Sequence, residues 1–354
     1  MSRKAVAFPG WSSNPYINQL YLAPRSAGWE VSTPRSVLEL QSAARGLGHG
    51  DVLHVHWLAP VFTEAVGDDE GRLCAEAFCD LLDVLLSSGV RLFWTVHNVV
   101  SHDSSMYEHE VAVSAFLAER AEIVFVLNEA TVSVTAPHYA IPPEKCRLLE
   151  HSSYLGVYPD AITRDAARTA LEIAPDARVV GFVGQARPYK GISTLLDAAD
   201  ELAELGEPVT VLIAGKTPAE EVDELRNAIA RCAADVRWSP GFVPDDELQT
   251  WFRASDVVAL PYARVLNSGS AYLAATFGTP CVLPDEPQFR RLFGSEPWVA
   301  LFDREHGPAG LAKALLTQIP QEVGAAAAAM SFARARTPFD MSREYLEIMT
   351  GQHR

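Results

Sequence analysis

Residues 181 to 191 read Gly-Phe-Val-Gly-Gln-Ala-Arg-Pro-Tyr-Lys-Gly. The β-branched, apolar run from Val179 to Val183 reads as a buried strand. Gly184 carries no Cβ and lets a ligand approach the backbone, and an amphipathic helical pattern starts just after Gly191. Strand, glycine turn and helix start, in that order, predict one βα unit of a parallel sheet. Arg187 and Lys190 fall inside the turn, so the oriented N–H groups of a helix N-terminus are joined there by two cations, which favours a diphosphate on electrostatic grounds. A strand-to-helix turn with exposed basic residues is the plainer alternative.

Outward from this turn, strand-like and helical runs alternate in both directions. Toward the N-terminus, strands are expected near 5–8, 30–32, 52–56, 91–95 and 123–127, with helices near 15–27, 37–46, 72–88 and 108–120. Beyond the turn, strands are expected near 209–214, 236–238, 257–260, 281–283 and 298–301, with helices between them. Such alternation builds right-handed βαβ units into parallel sheets covered on both faces, an α/β protein whose ligands sit at the carboxyl ends of the strands. At 354 residues the chain exceeds the usual size of one core, so two domains are expected. The alternation breaks between His151 and Ala177, where Pro159 and Pro175 fall. This places a first domain at 1–160, a linker at 161–177 and a second domain at 178–337, followed by a last helical pattern at 338–350.

Apolar residues make up 48% and charged residues 21%, the proportions of a globular protein. A net charge of −16 speaks against a general nucleic-acid surface, so an anionic substrate must meet local cations such as Arg187. The five cysteines are scattered without CxxC spacing, which fits a reducing compartment better than a disulfide framework or a zinc site. No hydrophobic signal region precedes the first strand and no apolar run approaches membrane-spanning length, so the expectation is a cytoplasmic protein, at most peripheral at the inner face of a membrane.

The ends of the first-domain strands carry polar groups. After the first comes Gly10-Trp11-Ser12-Ser13-Asn14-Pro15-Tyr16, with Asn14 as helix cap and Pro15 at the first helical position. The third ends His54-Val55-His56-Trp57, with both imidazoles on one face; a metal pair there lacks a third ligand nearby in sequence. The fourth ends Thr95-Val96-His97-Asn98, followed by Ser101, His102, Asp103, Ser104 and Ser105. Imidazole, amide and carboxylate groups at the mouth of a parallel sheet suit general acid or base work, although a polar loop that caps the next helix has the same composition. Glu108 and His109 read as helix-surface residues.

The order of these motifs, with Ile213-Ala214-Gly215, Gly241-Phe242-Val243-Pro244, Ala254-Ser255-Asp256 and Gly278-Thr279-Pro280 further on, resembles nucleotide-sugar glycosyltransferases of the GT-B fold over nearly the whole chain. The resemblance implies two Rossmann-like domains facing across a cleft, a sugar nucleotide held mainly by the second domain and an acceptor by the first. It also implies a C-terminal helix at 338–350 that packs back onto the first domain. It puts Arg187 and Lys190 on the diphosphate, with Gly184 and Gly215 beside them and Phe242 and Val243 at the base. Trp11, Asn14, Tyr16, His56, Trp57 and Asn98 fall on the acceptor side.

One departure stands out. Many retaining members carry two glutamates before the Gly-x-Pro turn; here those places are Val265 and Leu273. The chain instead offers Arg264 and the run Asn267-Ser268-Gly269-Ser270, whose small residues let backbone N–H groups and two hydroxyls reach diphosphate oxygens. This loop resembles that of bacterial GT-B enzymes acting on exopolysaccharide or glycolipid acceptors. No DxD pair marks a metal, so cations are expected to replace magnesium and no cofactor is called for. The missing glutamates favour inversion, with Asp103 as base and His97 or His102 as alternates; in a retaining reaction the leaving phosphate takes the proton and His97 contacts the sugar. A sugar-nucleotide 2-epimerase, a phosphorylase-like enzyme and a non-catalytic sugar-nucleotide-binding protein are the competing readings.

Overall fold

The computed structural model describes residues 3–11, 14–101, 105–319 and 322–352. They form two compact units, Met1–His151 with Pro338–Arg354, and Ser152–Thr337.

The first unit holds β1 (Lys4–Phe8), β2 (Glu30–Ser32), β3 (Val52–Val55), β4 (Arg91–Val96), β5 (Ile123–Val126) and β6 (Cys146–Leu148). They form one sheet in the order β2-β1-β3-β4-β5-β6, with every pair parallel. The central strands are buried on both faces, which is why they read as continuous apolar runs and not as alternation. The chain leaves β1 for β2 on one side and returns to β3 on the other, so the switch point where such sheets bind ligands lies between β1 and β3. Phe8 pairs with Val55 and Val55 with Trp94, so the loops after these strands emerge at one edge.

A single helix is expected over 15–27. Two short ones form, Tyr16–Leu20 and Leu22–Ser26, because Pro24 has no N–H to give the carbonyl of Leu20. That carbonyl accepts instead from Ser342 Oγ at 2.7 Å, and the same hydroxyl accepts from the Ala23 N–H at 2.7 Å. Ser342 lies on the helix Pro338–Thr350, which buries Met341, Tyr345, Ile348 and Met349 and packs on both short helices.

The second unit holds β7 (Val179–Val183), β8 (Thr210–Ala214), β9 (Asp235–Ser239), β10 (Val257–Ala259), β11 (Cys281–Pro284) and β12 (Val299–Phe302). The order is β12-β11-β10-β7-β8-β9, again all parallel, with its switch point between β7 and β10. The segment read as a linker contains the helix Arg164–Ala170, capped by Thr163. Its Arg168 is 2% exposed: Nη2 donates to Asp256 Oδ1 at 2.7 Å, while Nη1 and Nε donate to the carbonyls of Pro175, Ala177 and Ala254. Asp256 Oδ2 accepts from Val179 N at 2.7 Å and so fixes the start of β7. No helix among the described residues is long and apolar enough to cross a membrane.

Candidate functional site

In the second unit the switch point gathers the glycine turn and the loop after β10. Gly184 and Gly215 end β7 and β8 back to back. A Cβ on Gly215, at φ 143°, would lie 1.9 Å from the Gly184 carbonyl oxygen. Gly191 opens the helix Ile192–Glu204 at φ 73°, with the Pro261 carbonyl 2.1 Å from where a Cβ would stand. Both positions therefore need glycine. The segment Pro188–Lys190 forms a 3₁₀ turn, stitched to the neighbouring loop by Ala263 N donating to Tyr189 O at 2.8 Å.

Lys190 lies in this turn with its ammonium 4.6 Å from the ring centre of Tyr262 and 5.3 Å from that of Tyr189. Burial pulls its pKa below the ordinary lysine value, and among the described residues no carboxylate pairs with it. Tyr262 is 1% exposed, its pKa pushed up to about 12 by burial, and its hydroxyl meets Ser268 Oγ at 3.0 Å. Ser268 Oγ also accepts from the Ala271 N–H and caps the helix Gly269–Thr276. The Ser270 hydroxyl comes within 3.8 Å of the place a Cβ on Gly184 would take. Gly184, Lys190, Gly215, Ser268, Gly269 and Ser270 are thus one locality. Arg187 and Asn267 are half-buried beside it, and Arg264 is exposed. On the turn after β9, Phe242 is 68% exposed while Val243 packs into the core. Val265 and Leu273, where the resemblance looks for acids, pack against the same core, and Gln288 Nε2 holds the Val265 carbonyl at 2.6 Å.

In the first unit, the rings of Trp11 and Trp57 meet across the switch point at 5.0 Å, tilted by 32°. The Trp57 ring stacks on His97 at 4.0 Å, and Tyr16 meets His97 edge-on at 4.9 Å. His56 Nδ1 lies 3.1 Å from His97 Nε2. Behind them His54 binds Tyr345 OH through Nδ1 at 2.9 Å and Thr95 Oγ1 through Nε2 at 2.8 Å. Burial, then neighbouring imidazoles, holds His54, His56 and His97 well below the ordinary histidine pKa, so all three are neutral at pH 7. Tyr16 and His56 are 1% and 2% exposed and support the site from beneath; Trp11, Asn14, Trp57 and Asn98 are half-buried. The helix starts at Tyr16 with Pro15, not Asn14, in the cap position; Asn14 stands one residue earlier, and its Oδ1 accepts from Tyr16 N at 3.0 Å. His102 and Asp103 lie outside the described residues.

From sequence Tyr345 reads only as an apolar position of the last helix, and neither Tyr262 nor Glu110 reads as part of a site. Glu110 is 3% exposed, and its Oε1 accepts from both the N–H and the hydroxyl of Ser101, at 2.6 and 2.7 Å. Its spacing behind a run of serines was the one available signal. His109 is bonded, not merely exposed, with Nε2 2.8 Å from Asp68. A cavity of about 770 Å³ opens in the first unit around Arg3, Lys4, Trp29, Asp51 and Arg91, at the opposite end of the sheet from these loops. Its cations are already engaged, Lys4 by Gly46 O, Arg91 by Glu122 and Met349 O, and Arg3 over the Trp29 ring at 5.5 Å.

Residues 177–319 match the family model described as glycosyl transferases group 1. Over 320 residues the chain is 26% identical to a GDP-mannose:glycolipid 4-beta-D-mannosyltransferase of Xanthomonas campestris pv. campestris, covering 88% of this chain and 81% of that one. Among solved structures it is similar to the sucrose-phosphate synthase of Thermosynechococcus elongatus, with a TM-score of 0.76 at 15% identity over 99% of this chain and 100% of the other. It is also similar to Anabaena HepE in complex with UDP-glucose, with a TM-score of 0.74 at 17% identity over 98% and 99%. At these identities the structural likeness speaks for the fold.

Proposed function

The chain is a glycosyltransferase of the GT-B fold, and on that premise we propose that it moves a hexose from a nucleoside-diphosphate donor to a hydroxyl of a glycan, glycolipid or small-molecule acceptor, without a metal ion and with inversion. The observation that carries the donor assignment is Lys190: a desolvated ammonium that faces two aromatic rings and no carboxylate among the described residues, one residue from a helix N-terminus. Removing a cation from water is costly unless an anion or aromatic face compensates, and a diphosphate does so most fully.

In the reaction the bond from the anomeric carbon to the diphosphate oxygen breaks as the acceptor oxygen bonds to that carbon from the other side. The charge that develops on the diphosphate is taken up by Lys190, Arg187 and the amides and hydroxyls of Ser268 to Ser270. Pre-placed groups of this kind are worth about 3 to 4 kcal/mol each. The acceptor proton passes to Asp103. Trp11 and Trp57 offer apolar faces on which a sugar ring can rest, and a glycolipid acceptor would bring the protein to a membrane surface.

The test is a panel of UDP-, GDP- and dTDP-sugars with the full chain, following slow donor hydrolysis in the presence of EDTA. Hydrolysis of one donor, unaffected by EDTA, supports the reading. Hydrolysis abolished by EDTA removes the metal-free part, and no turnover or binding of any sugar nucleotide removes the donor assignment. The anomeric configuration of the product, read by NMR, decides inversion.

A further inference from the structure

His56 and His97 share one hydrogen bond, Nδ1 to Nε2 at 3.1 Å. Such a bond needs an N–H on one ring and a lone pair on the other, and each neutral imidazole has one of each. If His97 donates through Nε2, the proton of His56 must sit on its own Nε2. That atom is buried, and among the described residues it has no hydrogen-bond partner. If His56 donates through Nδ1, the unpartnered atom is a lone pair. Buried N–H groups without an acceptor are rarer and costlier than under-used acceptors, so the second arrangement prevails.

We infer that His56 is a positioning residue whose Nδ1–H occupies the Nε2 lone pair of His97 and holds the His97 proton on Nδ1, so that His97 serves as a neutral hydrogen-bond donor and not as the base. Whatever group His97 addresses through Nδ1 is then a hydrogen-bond acceptor, such as a sugar hydroxyl or a phosphate oxygen. The surroundings keep the pair in register. Trp57 stacks on one face of His97 at an interplanar angle of 18°, and Tyr16 meets the ring at 86°. The His54 ring lies 4.0 Å from that of His56, tilted by 35°, and has both its own nitrogens engaged, by Tyr345 and Thr95, so it buttresses His56 without competing for Nδ1. The titratable groups around the pair are His54 on β3, Tyr16 on the first helix, His151 after β6 and, behind His54, Tyr21 and Tyr345.

The inference rests on the proposed transferase reading only for what His97 does in turnover; the tautomer itself is read independently. Long-range ¹H–¹⁵N correlation spectra of the histidine-labelled full chain at pH 7 are expected to show both His56 and His97 as Nδ1–H tautomers, assigned with single variants. Either residue appearing as Nε2–H overturns the inference. His56→Phe removes the donor and is expected to give His97 an Nε2–H population, while His56→Asn, which returns an amide N–H near the Nδ1 position, restores the Nδ1–H form. If His97 keeps Nδ1–H in the Phe variant, His56 is not what holds it. Once a donor sugar is found, the acid limb of the kcat profile is expected to persist in His97→Asn. Its disappearance identifies His97 as the base and overturns the inference. If no donor is turned over while the spectra hold, the transferase reading fails and the tautomer assignment stands.

Discussion

The ammonium of Lys190 lies 4.6 Å from the ring centre of Tyr262, and the hydroxyl of the same Tyr262 meets Ser268 Oγ at 3.0 Å. One buried ring therefore supports the cation after β7 and the helix cap after β10. Lys190→Met keeps the stem and removes the charge, and is expected to lower kcat/KM for the donor by about 10² to 10³-fold. Tyr262→Phe keeps the face under the ammonium and loses only the hydroxyl bond, worth about 1 kcal/mol, or roughly fivefold. Steady-state kinetics on both variants checks this ordering; a Lys190→Met enzyme within about tenfold of wild type removes the diphosphate role from Lys190. Because burial lowers its pKa, Lys190 loses its charge below the ordinary lysine range, so donor affinity is expected to fall with alkaline pH sooner than an exposed lysine would allow.

The histidine cluster predicts how stability changes with pH. His54, His56 and His97 have folded-state pKa values well below 6.5, so below about pH 6.5 the unfolded chain binds more protons than the folded one. Stability is then expected to fall as pH falls, with a limiting slope of about 4 kcal/mol per pH unit for three such groups. Tm of the full chain between pH 7.5 and pH 5 measures it. Carboxylates titrate mostly lower, and relief of the net negative charge over this range acts in the opposite direction. A flat Tm would mean that the cluster takes up protons without opening.

Arg168 and Asp256 predict where the second unit is most sensitive. Both are buried, and Asp256 also holds Val179 at the start of the strand that leads into Gly184. Asp256→Ala leaves an uncompensated guanidinium, at a cost of about 3 to 5 kcal/mol. For a unit of this size that corresponds to a Tm lower by about 6 to 20 °C. Calorimetry that finds less than about 1 kcal/mol would show that the carbonyls of Pro175, Ala177 and Ala254 suffice for Arg168.

These three cases mark what could be read from sequence. The core strands were legible because burial on both faces forces long β-branched runs, and Val179–Val183 begins and ends where the pattern says. The turn at Gly184 to Gly191 was legible because its glycines and cations are neighbours in the chain. Features made by distant partners were not. Nothing near Pro24 announces Ser342, and the Ala-rich stretch around Arg168 looks like a linker until Asp256 is brought to it. The histidines at 54, 56 and 97 read equally well as exposed ligands or buried ones, because alternation gives the face of a strand and not what covers it.

Gly215 tests how tightly the turn is built. At φ 143°, a Cβ there would stand 1.9 Å from the Gly184 carbonyl oxygen. Gly215→Ala must move one of the two loop backbones, and strain of this kind costs about 1 to 3 kcal/mol. Donor binding is expected to weaken more than Tm falls, since the displaced backbone lies at the switch point and outside the core. Unchanged donor affinity in calorimetric titration would place the diphosphate away from Gly184.

The remaining prediction concerns the acceptor proton. If His97 is held as a donor, the base must come from elsewhere, and the polar run after β4 offers Asp103. Asp103→Asn keeps the shape and removes the proton acceptor, so turnover is expected to fall by about 10²-fold or more with donor affinity little changed, because the amide still fills the same space. Donor hydrolysis and acceptor transfer should be measured side by side. A fall in both reactions with donor affinity unchanged supports the base assignment, since the attacking water and the acceptor hydroxyl alike must give up a proton. Losses that follow a weakened donor affinity point to a role in binding the sugar, and turnover within about tenfold of wild type removes Asp103 from the chemistry and returns the question to His102.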